Sequence, residues 1–528
     1  MALATIDLVI VAAYGVLLFG IAIFVSREPA GATKDTQDYF LAGKSLPWWA
    51  IGASLIAANI SAEQIIGQSG QGFVVGLAIA AYEWQAAIVL LIVAKFFLPI
   101  FLKRKIYTMP QFLETRYGPA IKNLMAVFWI FLYTAVNLTA VLWLGALAIT
   151  AVTGWGVTAA MIGLAAFAVL YSLYGGLKAV ALTDIIQVVI LIVGGAIITW
   201  IALGLVGGEA GALAGLGTLT AEIPGHFEMI LDEENPSYSN LPGIWTLLGG
   251  LWVLHFSYWG FNQYVIQRAL GAESLAEAQK GLAFAAFLKL LIPVIVVIPG
   301  IAALWLARGG TLDLAALTQT PDSTYGTLMT LVPAGLRGLV FAALIAAVVS
   351  SLASMMNSIS TIFTMDLYRT VRGDRTEQHY VMVGRITALV AMVVALILAR
   401  PFLGGLESAF QTIQEYTGFI APGVVAVFLL GFFWERTNTA GAFALLISSV
   451  GLSIAAKLML PDLPFVVRIW IVFLACVAVG VAVSLVTPKP TEGRPVHVRD
   501  IAFGTTAGFN IASVVIVLIL VAIYAVFW

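Results

Sequence analysis

Long apolar runs follow one another along almost the whole chain, separated by short polar or glycine-rich segments. A helix needs about 20 apolar residues to cross a hydrocarbon layer of ~30 Å. The pattern therefore predicts an all-α, polytopic membrane protein with about 14 transmembrane helices. Their predicted bounds are 6–25, 46–70, 74–102, 123–152, 156–174, 179–206, 243–267, 279–307, 331–365, 380–400, 403–434, 437–459, 465–487 and 507–528.

Glycine-rich turns divide the most closely spaced of these runs. Gly154-Trp155-Gly156 separates one pair, and Tyr174-Gly175-Gly176-Leu177-Lys178 separates the next. Glycine adopts the turn conformations that other residues avoid, so we expect helix breaks at both places.

Composition supports a membrane location and excludes several classes of function. Of 528 residues, 61% are hydrophobic and 10% are charged, whereas soluble proteins have about 25% charged residues. A soluble enzyme, a nucleic-acid-binding protein and a disordered chain are thereby excluded. The formal net charge of −1 implies no attraction to polyanions. No P-loop is present, which argues against an ATP-driven pump.

The distribution of positive charge predicts the orientation. With both termini outside, 18 of the 26 Lys and Arg residues fall in inward segments, five in outward segments and three within or at the edge of spans. Cytoplasmic loops of membrane proteins carry such an excess of Lys and Arg. The long outward loop at 207–242 contains acidic residues and neither Lys nor Arg.

Two predicted spans have a polar interruption in the middle. The first lies at Ala57–Gln64 and the second, five spans later, at His255–Gln263. Because five is odd, the two spans run in opposite directions through the membrane. Interrupted helices at matching places in inverted halves are typical of the binding site of secondary transporters. The alternative is two unrelated kinks caused by small residues.

Several ionisable residues lie deep in apolar runs, where a charge costs about 2.5–3.5 kcal/mol and marks a functional site by default. They are Glu63, Glu83, Lys289 and Glu415, with Asp184 nearer a cytoplasmic end. A Lys289 that faces a cavity near Glu83 would leave the site nearly neutral. The alternatives are structural ion pairs and, for Asp184, a side chain that reaches the interface.

Uncharged polar residues accompany them. The amides and the histidine are Asn59, Gln64, His255, Asn262, Gln263, Gln411 and Gln414. Amides offer donor and acceptor together, as a sugar hydroxyl requires. Tyr82, Trp84, Tyr258 and Trp259 could stack on a pyranose ring or close a gate. The alternative for any single amide is a hydrogen bond between helices.

Main-chain carbonyls and hydroxyls could bind sodium. An unwound stretch would release the carbonyls of Ala57 and Ile60, and Ser350 and Ser351 add adjacent hydroxyls one turn after Ala347. Sodium fits this set better than a proton does, since no titratable ligand is needed. Alternatively, the two serines bond to carbonyls four residues earlier.

These segments together resemble the sodium:solute symporter family, and within it the bacterial sodium/galactose (sodium/glucose) cotransporters. The densest matches are at 38–44, 52–64, 259–264, 350–354 and 414–418. The resemblance implies a LeuT-like fold of inverted five-helix repeats in a single domain, 1–528. Its parts would be an extra helix at 6–26, repeat one at 46–206, repeat two at 243–434 and three extra helices at 437–528.

The resemblance also implies a function. We expect sodium-driven uptake of a monosaccharide, galactose or glucose, by alternating access in a bacterial inner (plasma) membrane. Sodium would be the co-transported ion, and the sugar, sodium and the lipid bilayer would be the partners. The rivals are a symporter of the same fold for inositol, a nucleoside or an amino acid, a membrane sensor, and a uniporter or channel. The sequence leaves the oligomeric state open.

The family pattern assigns roles to individual residues. Sugar contacts fall on Asn59, Gln64, Glu83, Lys289 and Gln414, the inner gate on Tyr258 beside Trp259, and the sodium ligands on Ala57, Ile60, Ala347, Ser350 and Ser351. Asp184 matches the ion exit route, and Tyr82 and Phe410 match the outer gate. Three positions depart from the galactose carriers: His255 replaces an asparagine, Ala86 a serine, and Gln68 an apolar gate residue.

Overall fold

The computed structural model describes residues 3–26, 44–61, 63–106, 108–373, 375–404, 409–489 and 500–528. Within these ranges the protein is helical and has no β-strand. The predicted motif at 38–43 and the side chain of Gln411 lie outside the described residues.

The α-helices of five residues or more are numbered in chain order, and π-helices are given by their residues. The first twelve are α1 Thr5–Ser26, α2 Trp48–Asn59, α3 Gln68–Val74, α4 Ala81–Ile92, α5 Leu98–Lys103, α6 Met109–Tyr117, α7 Pro119–Phe131, α8 Thr139–Thr153, α9 Val157–Gly207, α10 Gly211–Glu222, α11 Ile244–Leu248 and α12 Gly250–His255. The remainder are α13 Gln263–Leu270, α14 Leu275–Arg308, α15 Leu314–Gln319, α16 Thr324–Thr330, α17 Leu336–Ile362, α18 Glu377–Leu403, α19 Ala409–Gly418, α20 Ala421–Phe433, α21 Thr439–Met459, α22 Phe465–Val486 and α23 Ala507–Val526.

The described helices confirm a polytopic membrane protein, although they do not confirm the predicted count of 14. Ten are long and apolar enough to cross a bilayer, and the bent pair α2–α3 raises the number to eleven. The predicted segments and the observed spans differ mainly where helices are bent or run on into one another.

The first predicted interruption is present. Helix α2 ends at Asn59, the backbone bends at Ile60 and Ser61, and a π-helix at Glu63–Gly67 leads into α3. The two halves are bent by 60° relative to one another. The Ser61 N–H donates to the Asn59 carbonyl at 2.8 Å, two residues back, so the Ala57 carbonyl lies outside the helical ladder.

The second interruption lies near the end of the predicted segment His255–Gln263. The residues Phe256–Gly260 form a π-helix that continues α12, so the backbone is still helical there. The helix breaks instead at Asn262, whose backbone is extended (φ −85°, ψ 122°) and whose side chain caps α13. A π-turn is frequent at functional sites because the extra residue widens the helix locally.

One predicted break is wrong. The Gly154 turn exists, with a left-handed backbone of φ 74°, whereas 174–178 continues α9 without interruption. Helix α9 therefore has 51 residues. A glycine pair inside a helix costs about 1 kcal/mol per residue relative to alanine, and the side chains at 173–179 lie outside the described residues.

Close packing of α3 against α14 fixes the position of the first broken helix. A Cβ built at Gly300 would lie 2.1 Å from the Ser69 carbonyl oxygen, and one at Gly72 would lie 2.6 Å from the Val297 carbonyl oxygen. Small residues let membrane helices approach this closely. Lys289 is on the same helix α14, and it lies opposite the C-terminal end of α2, where it donates to Asn59.

Candidate functional site

A polar cavity lies between the two broken helices. Its volume is about 60 Å³, room for several water molecules. The lining residues are Asn59, Glu63, Gln64, Gln68, Tyr82, Glu83, Asn137, Leu254, His255, Tyr258, Trp259, Lys289, Gln414 and Thr417. The five predicted sugar contacts are among them, as are the predicted inner-gate residues Tyr258 and Trp259 and the predicted substrate-binding residue His255.

Lys289 is at the centre of the cavity and is 1% exposed. Its ammonium group donates to the Glu83 carboxylate and to the Asn59 amide oxygen. The same group lies 4.8 Å from the centre of the Trp259 ring, a cation–π contact. The predicted pairing of Lys289 with Glu83 is thus present, and it balances two charges that would otherwise be buried alone.

Glutamine side chains donate hydrogen bonds to the two carboxylates of the cavity. Gln68 Nε2 donates to Glu83 at 2.7 Å, and Gln414 Nε2 donates to Glu63 at 2.8 Å. Gln64 Oε1 accepts hydrogen bonds from the hydroxyl and the backbone N–H of Ser61. Gln68, which stands at an apolar gate position of the family pattern, therefore belongs to the polar cavity in this chain.

Several polar atoms around the cavity are buried without a hydrogen-bond partner. They are the Gln68 Oε1, Asn137 Oδ1, Tyr82 hydroxyl and His255 Nε2 atoms. Buried polar groups are nearly always paired, so such atoms in a cavity indicate a bound polar molecule or water. The set contains acceptors and donors at several directions, as a polyhydroxylated solute requires.

Aromatic rings pack against one another at the predicted outer gate. The Tyr82 ring packs edge-on against Phe410 with centroids 5.7 Å apart, and against His255 at 6.4 Å. Phe410 is fully buried. Tyr258 is only partly buried and accepts a hydrogen bond from the Asn59 amide at 3.1 Å.

The predicted sodium ligands meet where the end of α2 contacts α17. Ala57, Ile60, Ala347, Ser350 and Ser351 are all buried. The Ser351 hydroxyl donates to the Ala58 carbonyl at 3.0 Å across the two helices, and the Ser350 hydroxyl donates to Asp184 at 2.5 Å. The alternative, hydrogen bonds back to carbonyls on their own helix, is therefore not what the two serines make.

Asp184 is fully buried and does not reach the interface. Its carboxylate accepts from Ser54, Ser350 and Arg268, the last at 3.3 Å. Arg268 is itself 1% exposed and also contacts Ser354. This hub joins α2, α9, α13 and α17 directly beside the predicted sodium ligands.

Sequence reasoning missed some cavity residues and misplaced one. Asn137 and Thr417 line the cavity and were not assigned a role, although Thr417 lies in the matched segment 414–418. Glu63, one of the ionisable residues predicted from its depth in an apolar run, lines the cavity as well. Glu415, in contrast, lies outside the cavity and pairs with Lys457 at 3.0 Å and Arg468 at 2.7 Å.

The comparison with sequence families decides the assignment. Residues 39–449 match the sequence profile of the Sodium:solute symporter family. The chain belongs to this family. It is therefore a multi-pass membrane transporter and not an enzyme, and sodium is its co-transported ion.

Curated relatives agree with the family assignment. The chain is 49% identical to a sodium/glucose cotransporter of Vibrio parahaemolyticus, over 100% of this chain and 99% of that protein. It is 35% identical to sodium/myo-inositol cotransporter 2 of Sus scrofa, over 78% of this chain and 64% of that protein. The chain thus spans slightly less than two thirds of the length of this second symporter.

Solved structures confirm the fold. A Na⁺-coupled sialic acid symporter in a substrate-bound outward-open state superposes with a TM-score of 0.81 and 21% identity, over 93% of this chain and 99% of that chain. A nucleobase-cation-symport-1 family transporter in a closed conformation superposes with a TM-score of 0.52 and 15% identity, over 89% and 98%. The all-helical, LeuT-like symporter fold predicted from the sequence is confirmed.

Proposed function

We propose that the protein couples inward sodium flow to uptake of a monosaccharide, glucose or galactose, by alternating access. The cavity is the observation that carries this proposal. Its amides, its balanced Lys289–Glu83 pair and its unpartnered polar atoms offer hydrogen bonds in several directions without an excess of positive charge. A carrier of carboxylate solutes would instead be expected to present a bare helix N-terminus to the carboxylate.

The roles of the residues follow from their positions. Asn59, Gln64, Glu83, His255, Lys289 and Gln414 bind the sugar hydroxyls, and Trp259 supports Lys289. Tyr258 closes the cavity towards the cytoplasm, and Tyr82, Phe410 and Gln68 close it on the outer side. Sodium binds to the carbonyls of Ala57, Ile60 and Ala347 and the hydroxyls of Ser350 and Ser351, and leaves past Asp184.

We further propose the membrane and the orientation. The excess of Lys and Arg in one set of loops supports a bacterial inner membrane with both termini outside. The family assignment and the shared symporter fold support inverted repeats at 46–206 and 243–434, with extra helices at 6–26 and 437–528. The lipid bilayer then contacts the many exposed apolar side chains of α18, α21, α22 and α23.

Uptake by purified protein in liposomes tests the function. An inward sodium gradient should concentrate labelled glucose or galactose, and an equal choline gradient should not. Competition of the labelled uptake by unlabelled glucose, galactose, fucose and myo-inositol identifies the solute. The panel includes glucose and myo-inositol because one relative of this chain is named a sodium/glucose cotransporter and another a sodium/myo-inositol cotransporter. Preferred displacement by myo-inositol would replace the sugar proposal, and uptake without a sodium gradient would contradict coupling.

Ser351→Ala should raise the sodium concentration for half-maximal uptake about tenfold. The substitution removes a hydroxyl that joins α17 to the broken end of α2, and one hydrogen bond or ligand of this kind contributes about 1.4 kcal/mol. The sugar KM at saturating sodium should change little. Ser360→Ala is the matched control, since Ser360 is on the same helix and its buried hydroxyl has no partner. Equal sodium dependence in both variants would contradict the assignment.

A further inference from the structure

A chain of hydrogen bonds leaves the cavity through the second broken helix. It begins at Lys289, which donates to Asn59. The Asn59 amide donates to the Tyr258 hydroxyl at 3.1 Å, and the Tyr264 hydroxyl donates to the same oxygen at 2.7 Å. The Tyr264 backbone N–H donates to Asn262 Oδ1 at 3.2 Å. The inner wall of the cavity is thus bonded to the residue at which the helix breaks.

Tyr133 holds this break together. Its hydroxyl donates to Asn262 Oδ1 at 2.8 Å and accepts the Gln263 N–H at 2.9 Å. The Tyr133 side chain is fully buried, and its ring packs edge-on against Tyr264 at 5.5 Å. A broken helix inside a membrane needs partners for its freed backbone groups. One hydroxyl therefore satisfies a backbone donor and the capping side chain at once.

The chain continues towards the predicted cytoplasmic surface. Gln263 Oε1 accepts the backbone N–H of Met109, the first residue of α6, at 2.8 Å. The preceding Thr108 caps α6 and donates its hydroxyl to the buried Asp366 at 2.9 Å. The loop before α6 is basic, with Lys103, Arg104 and Lys105, as expected for an inward loop. The broken helix is therefore fastened to an element at the inner face.

The segment that carries Tyr133 also contributes to the cavity. Tyr133 and Asn137 lie one turn apart on the π-helix Leu132–Leu138. Asn137 lines the cavity, and its Oδ1 atom is buried without a partner. A ligand that hydrogen-bonds to Asn137 would therefore displace the same π-helix whose Tyr133 hydroxyl bonds to the helix break at Asn262. A π-helix can accommodate such a shift because its extra residue loosens the hydrogen-bond ladder.

We propose that Tyr133 is a positioning residue that latches the inner gate. With the latch formed, Tyr258 and α13 stay against the π-helix Leu132–Leu138 and the N-terminus of α6, and the inner path is closed. Solute bound at Asn137 shifts the π-helix and releases the latch. The proposal rests on alternating access, and it adds a mechanical connection between occupancy of the cavity and opening towards the cytoplasm.

Tyr133→Phe tests the latch because it removes the hydroxyl and keeps the ring. Loss of these hydrogen bonds should shift the equilibrium between the outward-facing and inward-open states about fivefold towards the inward-open state, because a single hydrogen bond makes a modest net contribution to stability. The outward-facing fraction falls, so the sugar KM should rise by two- to about fivefold while kcat stays within about twofold. Amide hydrogen exchange in bilayer discs should accelerate about fivefold in 108–116 and 258–266 and stay unchanged in α21.

Tyr524→Phe is the matched control, because the buried Tyr524 hydroxyl makes no hydrogen bond. Wild-type KM and exchange in Tyr133→Phe would overturn the latch, as would uniformly faster exchange with KM unchanged. If Tyr133→Phe does not fold, Asn262→Ser replaces it. Serine still caps α13 but is too short to reach Tyr133, so the same KM rise is expected. A wild-type protein that takes up no sugar contradicts the proposed function, while sodium-dependent exchange in the same two segments still tests the latch.

Discussion

Lys289→Met is expected to reduce sodium-driven sugar uptake at least about 100-fold. Removing one partner of a buried ion pair costs about 3–5 kcal/mol, because the other charge remains buried. Here the remaining charge is Glu83, which is 2% exposed and keeps the Gln68 amide as its hydrogen-bond partner among the described residues. Asn59 also loses its bond from Lys289, and this bond holds the amide that contacts the inner-gate tyrosine. Initial uptake rates in liposomes measure the effect.

A double variant separates stability from transport. Lys289→Met with Glu83→Gln removes both charges and keeps side chains of similar size, so the melting temperature should recover to near the wild-type value. Uptake should not recover, because the cavity then lacks the cation and the carboxylate that bind hydroxyls. Recovery of uptake in the double variant would show that the pair has a structural role only. Lys95→Met, on the partly exposed face of its helix, is the control for loss of a membrane-embedded lysine.

Sequence patterns predicted the parts of this protein that depend on local chemistry. Apolar runs marked the spans because backbone groups in lipid must bond within a helix. Polar residues in two of those runs marked the cavity, since buried polar and charged groups are costly unless they have a function. The pairing of Lys289 with Glu83 followed from the same cost, although 206 residues separate them.

Other features depended on packing that no local pattern contains. The glycines at 175–176 predicted a break, yet α9 continues through them. The second helix breaks at Asn262, within the predicted interruption, but its partner Tyr133, a residue on a distant helix that accepts the freed Gln263 N–H, had no sequence signal. Glu415 looked like a cavity residue by its depth in an apolar run, and two cations on α21 and α22 draw it elsewhere.

Asp184→Asn is expected to lower the melting temperature and to raise the sodium KM about tenfold. The substitution leaves the Arg268 charge buried without its carboxylate, at a cost of about 3–5 kcal/mol. It also weakens the bond from Ser350, a hydroxyl in the proposed sodium site, and one such charge-assisted bond contributes about 1.5–3 kcal/mol. Thermal unfolding in detergent and sodium titration of uptake measure the two effects separately.

The two effects should respond differently when the second charge is also removed. Asp184→Asn with Arg268→Met eliminates the uncompensated cation, so the melting temperature should return towards the wild-type value. The sodium KM should stay high, because Ser350 still lacks a charged acceptor that orients its hydroxyl. If the sodium KM also recovers, Asp184 acts only as the counter-ion of Arg268 and has no part in sodium release. If it stays high, the buried carboxylate connects the helix that binds sodium to the broken helix through Ser54, and the fold and the ion site depend on the same four helices.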